Sequence, residues 1–427
     1  RAKPRYARAV SIRAAVITSV VVALAAVAPA SAQTRSRFKL DEVQATLAVQ
    51  GVGGWLLAGE GSSNPVALEL VNPAGAPAKL WFYFIPDKGQ PMALAHVSDA
   101  DSFAGVMGTM ATYGSERELA RELGRMLVGV KRVAMEYAPD SKIKSLTRVA
   151  ASTAKLVSRR RVEVVSSANL VQFTKSLWGS EGRVAHYIAA HHLDAVRKLA
   201  LAHLARELRA GRKVSEYDLQ QYIVRGYEIR GISGDPPVVA AGPNTARPDY
   251  VPTPTSARVI AKGDLVRLTL WARLDGSARP IYANVSWMAF AGKQVPERYR
   301  NAFSVVATAR DAAVALIRDR LERRRPVKGY QAGRAAREVI AQAGMGSQFV
   351  HRTGHSLDTA VVGDGAHLDD FDARDTRALV RGSGFTVEPG VYFEDFGIKT
   401  EINVFLGRGG VEVTTQKQTA IQALLVP

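Results

Sequence analysis

The sequence predicts an α+β protein in two halves, and three observations carry that prediction. Apolar strand-like runs alternate with helix-like runs as far as residue 177, the pattern of an α/β layer. The run Trp178-Gly179-Ser180-Glu181-Gly182 then reads as a hinge. Beyond it come a long amphipathic helix, paired strands, two more helices and a closing cluster of strands. With 427 residues the chain is long enough for two or three domains and needs no covalent staples.

Residues 1–32 read as a secretory signal peptide. Arg1, Lys3, Arg5, Arg8 and Arg13 form a basic start, residues 14–28 an apolar run, and Pro29-Ala30-Ser31-Ala32 a small-x-small cleavage pattern. The apolar run is too short for a comfortable membrane span. The mature chain is therefore expected from about Gln33, exported to the periplasm or medium, with no membrane span after cleavage. Residues 34–39 are a polar linker. Strands are predicted at 54–57, 80–85 and 92–96, the last two separated by the turn Pro86-Asp87-Lys88-Gly89. A helix at 116–127 and strands at 131–137 and 161–165 complete the first half.

The long helix is predicted over 183–209, stopped by Gly211, and Ser215 opens the next with Glu216 and Asp218 in its first turn. Strands follow at 238–241, 265–272 and 281–290, then helices at 297–323 and 331–343. The closing strands are 385–387, 391–393, 399–406 and 411–415.

Composition removes several function classes. With no cysteine, disulfides, thiolate-ligated metal and thiol catalysis are all excluded, so a metal site must use His, Asp and Glu. The formal charge of +18 is scattered, with short runs at Arg159-Arg160-Arg161 and Arg323-Arg324-Arg325 that lack interleaved aromatics. This reads as a solvated basic surface, not a nucleic-acid platform.

The chemistry concentrates near the C-terminus. In His351-Arg352-Thr353-Gly354-His355 two histidines four residues apart can face one cleft, and Gly354 permits close backbone approach. Phe385-Thr386-Val387-Glu388-Pro389-Gly390-Val391-Tyr392 places a carboxylate at a strand end before a Pro-Gly turn. Gly397-Ile398-Lys399-Thr400-Glu401 adds a second carboxylate on the next strand. One His and two Glu form a hard site suited to Mn, Co, Fe or Zn. His186, His191, His192 and His203 on the long helix read as surface or interface residues, and His367 as a loop residue.

These three motifs resemble the aminopeptidase P, prolidase and creatinase family of Xaa-Pro peptidases. Shorter stretches agree: Asn64-Pro65, 81–85, 133–137, 164–168 and Ala241-Gly242-Pro243-Asn244. The resemblance implies a creatinase-type N-terminal α/β domain over 38–178 and a C-terminal pita-bread domain over 183–427. It also implies a homodimer and short proline-containing peptides as ligands. In active members two Asp, one His and two Glu hold two metal ions, which activate a water against the peptide carbonyl. Carried over, His355, Glu388 and Glu401 are metal ligands. Glu388 is also the proton shuttle, with His351 beside it in the catalytic set.

The two Asp are missing. Thr269 and Asn284 stand at their positions. Two histidines that the resemblance leads one to expect are also replaced, by Asp249 and Val362. The expectation is at most one bound divalent ion (Mn, Co or Zn), held with Asn284 assisting, or none. Two functions follow: a weakened exported metallopeptidase cleaving Xaa-Pro bonds, or a non-catalytic peptide-binding or scaffold homologue of the same fold.

Overall fold

Alternating apolar runs in the first half hydrogen-bond into one mixed sheet. The computed structural model describes residues 35–141 and 143–426; the predicted signal segment lies outside the described residues. β1 (Gly54–Gly59), β2 (Trp81–Pro86), β3 (Met92–His96), β4 (Thr109–Tyr113), β5 (Arg132–Met135) and β6 (Glu163–Ser166) lie in the order β4-β3-β2-β1-β5-β6. Every residue of β1 is buried, so both faces must be covered. α1 (Leu40–Gln50), α2 (Pro65–Val71) and α5 (Ala168–Lys175) cover one face through Leu47, Leu70 and Leu170. α3 (Glu116–Met126) and α4 (Ala151–Ser158) cover the other through Leu123 and Val157.

A buried carboxyl organises this half. Glu136 accepts from Trp55 Nε1 (2.6 Å), Ser167 Oγ (2.8 Å) and Asn64 Nδ2 (2.8 Å). Burial raises its pKa against those donors. Asn64 also caps α2, its Oδ1 accepting from Ala67 N at 3.1 Å.

The second half wraps sheets in helix pairs. α6 (Gly179–Arg209) and α7 (Glu216–Ile229) precede β7 (Ile232–Ser233), β8 (Val238–Ala241), β9 (Leu265–Leu274) and β10 (Ala283–Phe290). Leu268, Leu270 and Val285 pack against α6 and α7. Period-two alternation turns Thr269, Asn284 and Ser286 to the opposite face. α8 (Glu297–Glu322) and α9 (Gly329–Gln342) pack a second core against the closing strands. These are β11 (Ser356–Leu357), β12 (Gly384–Val387), β13 (Gly390–Tyr392), β14 (Gly397–Lys399), β15 (Ile402–Gly407), β16 (Gly410–Val413) and β17 (Gln422–Ala423). They form the path β11-β12-β15-β16 and the pair β13-β14, while β17 joins β10. This is the predicted α+β arrangement, with the pita-bread layout in the second half. Among the described residues no helix is long and apolar enough to cross a membrane.

Several local expectations are corrected. The 178–182 hinge is instead a buried Trp178 followed directly by α6. Gly182 sits inside that helix because a Cβ there would lie 2.9 Å from Ile281 Cγ1. The predicted strand 399–406 is broken at Thr400, with Glu401 in an isolated bridge to Ser286. His186 is not a surface residue: it is fully buried, 2.8 Å from Tyr282 O and 2.7 Å from Thr414 Oγ1, and burial pulls its pKa to about 4.

Two side chains of α5 reach into the second half. In α5, Gln172 donates to Ala378 O (2.8 Å) and accepts from Ala366 N (2.9 Å). Lys175 bridges Glu69 of α2 and Asp364, each at 2.7 Å. Trp178 pins the start of α6: Nε1 donates to Leu357 O at 2.7 Å and its ring stacks on Phe405 at 5.0 Å. A Cβ on Gly384 would stand 2.0 Å from Trp178 Cζ2, so only glycine leaves room for the indole. Trp178→Ala is expected to lower unfolding free energy by about 3–5 kcal/mol. Gly384→Ala is expected to cost about 1–3 kcal/mol through overpacking. Urea unfolding followed by circular dichroism measures both; an unchanged Gly384→Ala midpoint would contradict this packing.

Candidate metal centre

Two braided segments build the floor of the centre. Thr386 N donates to His355 O (2.8 Å), and Glu388 N donates to Thr353 O (2.7 Å). A Cβ on Gly354 would lie 2.0 Å from Thr386 O, so the glycine between the histidines is what lets β12 come this close. Thr386 Oγ1 accepts from His355 N and donates to Glu388 Oε1, both at 2.9 Å. That hydroxyl locks the histidine and the carboxylate in one geometry.

Glu401 arrives from the other side. Arg310 is fully buried, and its Nη1 donates to Thr400 Oγ1 (3.0 Å) and Gln418 O (2.8 Å). Gln418 in turn clasps both backbone groups of Met288 on β10. Glu401 is thereby set against β10, where Ser286 Oγ donates to its Oε2 at 2.7 Å.

His355, Glu388 and Glu401 are all buried and present ligand atoms within 4.8 Å of one another. His355 Nδ1 lies 3.0 Å from Ser356 O, which assigns the proton to Nδ1 and leaves the Nε2 lone pair free. That lone pair faces Glu388 Oε1 at 3.3 Å. Burial lowers the His355 pKa, so the ring is neutral and two lone pairs confront each other. Asn284 Oδ1, buried beside Glu401, has no hydrogen-bond partner among the described residues. A facing pair of lone pairs and an orphaned carbonyl oxygen fit a cation.

The electrostatics of the two glutamates diverge. Burial opposes the charge of Glu388, but Lys399, His355 and His351 outweigh it and hold the carboxyl well below its ordinary range. Lys399 Nζ lies 2.6 Å from Glu388 Oε2. Burial would discharge Lys399, but Glu388 and Glu401 keep its pKa above the ordinary value. Glu401 is pushed up to about 8, by burial first and then by Glu388.

The remaining sequence-predicted positions divide. His351 lies at the rim, its Nε2 3.1 Å from Tyr392 Oη, its pKa pulled to about 4 by burial and then by Lys399. Thr269 Oγ1 is 2.9 Å from Ser286 Oγ, so a line of hydroxyls runs from Thr269 to Glu401. Asp249 is exposed and acts electrostatically on buried Arg267. Val362 is 46% exposed on the loop after β11. His367, although in a loop, is buried and accepts from Ser356 N at 3.1 Å.

Sequence reasoning missed Ser286, Thr386 and the Lys399–Glu388 pair. The first two carried a usable signal: each stands two residues from a singled-out position on a strand, hence on the same face.

The profile of metallopeptidase family M24 matches residues 183–414. The probable dipeptidase PepE of Mycobacterium tuberculosis is 31% identical over 173 residues, 38% of this chain and 41% of that protein. The Xaa-Pro dipeptidase of Lactobacillus delbrueckii subsp. lactis is 26% identical over 190 residues, 44% of this chain and 47% of that protein. In these matches the chain spans between two-fifths and one-half of the length of its curated relatives. The crystal structure of dipeptidase PepE from Mycobacterium ulcerans superposes with a TM-score of 0.67 at 19% identity, covering 90% of this chain and 96% of that one. That likeness extends the shared fold to the first half, and the profile covers more than half of the chain, so the protein belongs to metallopeptidase family M24.

Proposed function

We propose that this is an exported, Xaa-Pro peptidase-type homologue whose cleft takes short proline-containing peptides, binds at most one divalent ion and hydrolyses slowly or not at all. The observation that carries this reading is the line Thr269–Ser286–Glu401. Neutral hydroxyls and the Asn284 amide line this side of the cleft, at the positions where the family resemblance leads one to expect the carboxylates of a second ion. The names of relatives support the substrate class: the Lactobacillus protein is an Xaa-Pro dipeptidase. Export rests on the signal-like residues 1–32, and a homodimer on the family resemblance.

His355 Nε2, Glu388 and Glu401 would hold the ion, with Asn284 Oδ1 as a fourth, weaker oxygen. When bound, a divalent ion supplies Lewis-acid polarisation of the scissile carbonyl. Glu388 is the proton shuttle that the family resemblance implies, and the Lys399 ammonium that keeps it anionic also makes it a weak base, in keeping with slow hydrolysis. Val362 has no donor to stabilise a developing oxyanion, and one such donor is typically worth about 3 kcal/mol, roughly a hundredfold in rate. The second reading, a non-catalytic peptide-binding protein, is favoured by the Lys399–Glu388 ion pair, which balances Glu388 without metal.

Metal analysis after dialysis is expected to find no more than one equivalent of Mn or Zn per chain; two retained equivalents would contradict the site. Loading requires Glu401 to lose its proton, because its pKa is raised to about 8 and a ligating carboxylate is anionic. Affinity is therefore expected to climb as pH rises toward 8 and to flatten above, as titration calorimetry at several pH values would read.

Thr269→Asp with Asn284→Asp is expected to raise the stoichiometry to two. Adding Asp249→His and Val362→His is expected to bring turnover of Xaa-Pro dipeptides at least about a hundredfold above wild type. Rapid wild-type turnover that survives Glu388→Ala would refute the assignment.

A further inference from the structure

We propose that Lys399 is a built-in counter-cation that competes with metal for Glu388, and so sets the metal affinity of the cleft. The inference deepens the reading of His355, Glu388 and Glu401 as the ion site, and rests on it.

Both oxygens of Glu388 are engaged. Oε1 accepts from Thr386 Oγ1 at 2.9 Å and faces His355 Nε2, while Oε2 is 2.6 Å from the Lys399 ammonium. The side chains of Lys399 and Glu388 are only 15% and 9% exposed, so water screens the pair poorly. The ammonium is also fixed by backbone register. β14 pairs with β13 so that Lys399 stands opposite Gly390, two residues after Glu388. Thr400, next along, donates from its backbone to Pro389 O at 3.3 Å and is clasped by Arg310. The stem therefore starts from a rigid point beside the carboxylate.

Charge counting gives the competition its sign. With neutral imidazoles, Glu388, Glu401 and Lys399 sum to one negative charge when both carboxyls are ionised. A dication entering beside the ammonium leaves a buried excess of one positive charge. Two aspartates at Thr269 and Asn284 would absorb that excess, whereas the buried Thr269, Asn284 and Ser286 beside the glutamates are neutral. The ion must therefore displace the ammonium from Glu388 Oε2, leaving a buried cation without its partner, or bind Glu388 through Oε1 alone against like-charge repulsion. Either route weakens metal binding. The same pair lets the cleft stand folded without metal.

Titration calorimetry of the mature chain with Mn²⁺ and Zn²⁺ tests this. Lys399→Met is expected to bind either ion at least tenfold more tightly than wild type, and Lys399→Arg to stay within about threefold of it. Equal or weaker binding by Lys399→Met overturns the proposal. Adding His355→Ala to Lys399→Met is expected to abolish the gained binding. Persistence of tight binding in that double variant places the ion elsewhere and refutes the site reading instead. A wild-type measurement stands beside these in case Lys399→Met does not fold. The Lys399 ammonium signal, assigned by its loss in Lys399→Arg, is followed by heteronuclear NMR during Zn²⁺ addition. A saturating shift is expected, and an unmoved signal overturns the proposal.

Discussion

Two carboxyls buried side by side cannot both stay charged unless positive charge stands between or beside them. Glu388 and Glu401 impose that condition on everything around the cleft. In a dinuclear site two metal ions meet it, and further carboxylates are needed to balance them. Here the balance is struck more cheaply. Lys399 answers Glu388, while Glu401 accepts from the Ser286 hydroxyl and is pushed by burial and by Glu388 toward its protonated form. Thr269 and Asn284, both buried beside the two glutamates, add no charge to this balance. They are neutral neighbours, so the ammonium of Lys399 is the positive charge that answers the pair of glutamates.

The scaffold fixes the shape of the cleft by contacts that do not depend on this charge pattern. Gly354 admits the Thr386 carbonyl, Thr386 ties His355 to Glu388, and Arg310 anchors the segment that carries Glu401. Each is a backbone or hydrogen-bond constraint that works with or without metal. A cleft built on such constraints keeps its geometry when its electrostatics change, which is why the same fold can serve catalysis or plain binding.

The sequence made some of this legible and hid the rest for physical reasons. Gly354, the Glu388-Pro-Gly turn and Glu401 were visible because unusual local chemistry marks them. The separate stretches at Asn64, 133–137 and 164–168 gain a common cause only in three dimensions, where Asn64, Glu136 and Ser167 converge on one buried carboxyl. Ser286 looked like an ordinary strand serine, since its importance lies in register with Thr269 and Glu401. The glycines around Trp178 read as a hinge. In fact the indole buried under Gly384 makes that segment one of the fixed points of the molecule. Long-range packing overrode a local turn signal there, as it did for His186.

The loop that follows His355 is held by the other half of the molecule. Lys175 and Gln172 of α5 grip Asp364, Ala366 and Ala378, positions about two hundred residues further along the chain. The earlier half is in effect a mould for one wall of the cleft. The contacts that close the mould are among the most distant in the sequence, so closing this wall carries a chain-entropy cost that local contacts do not.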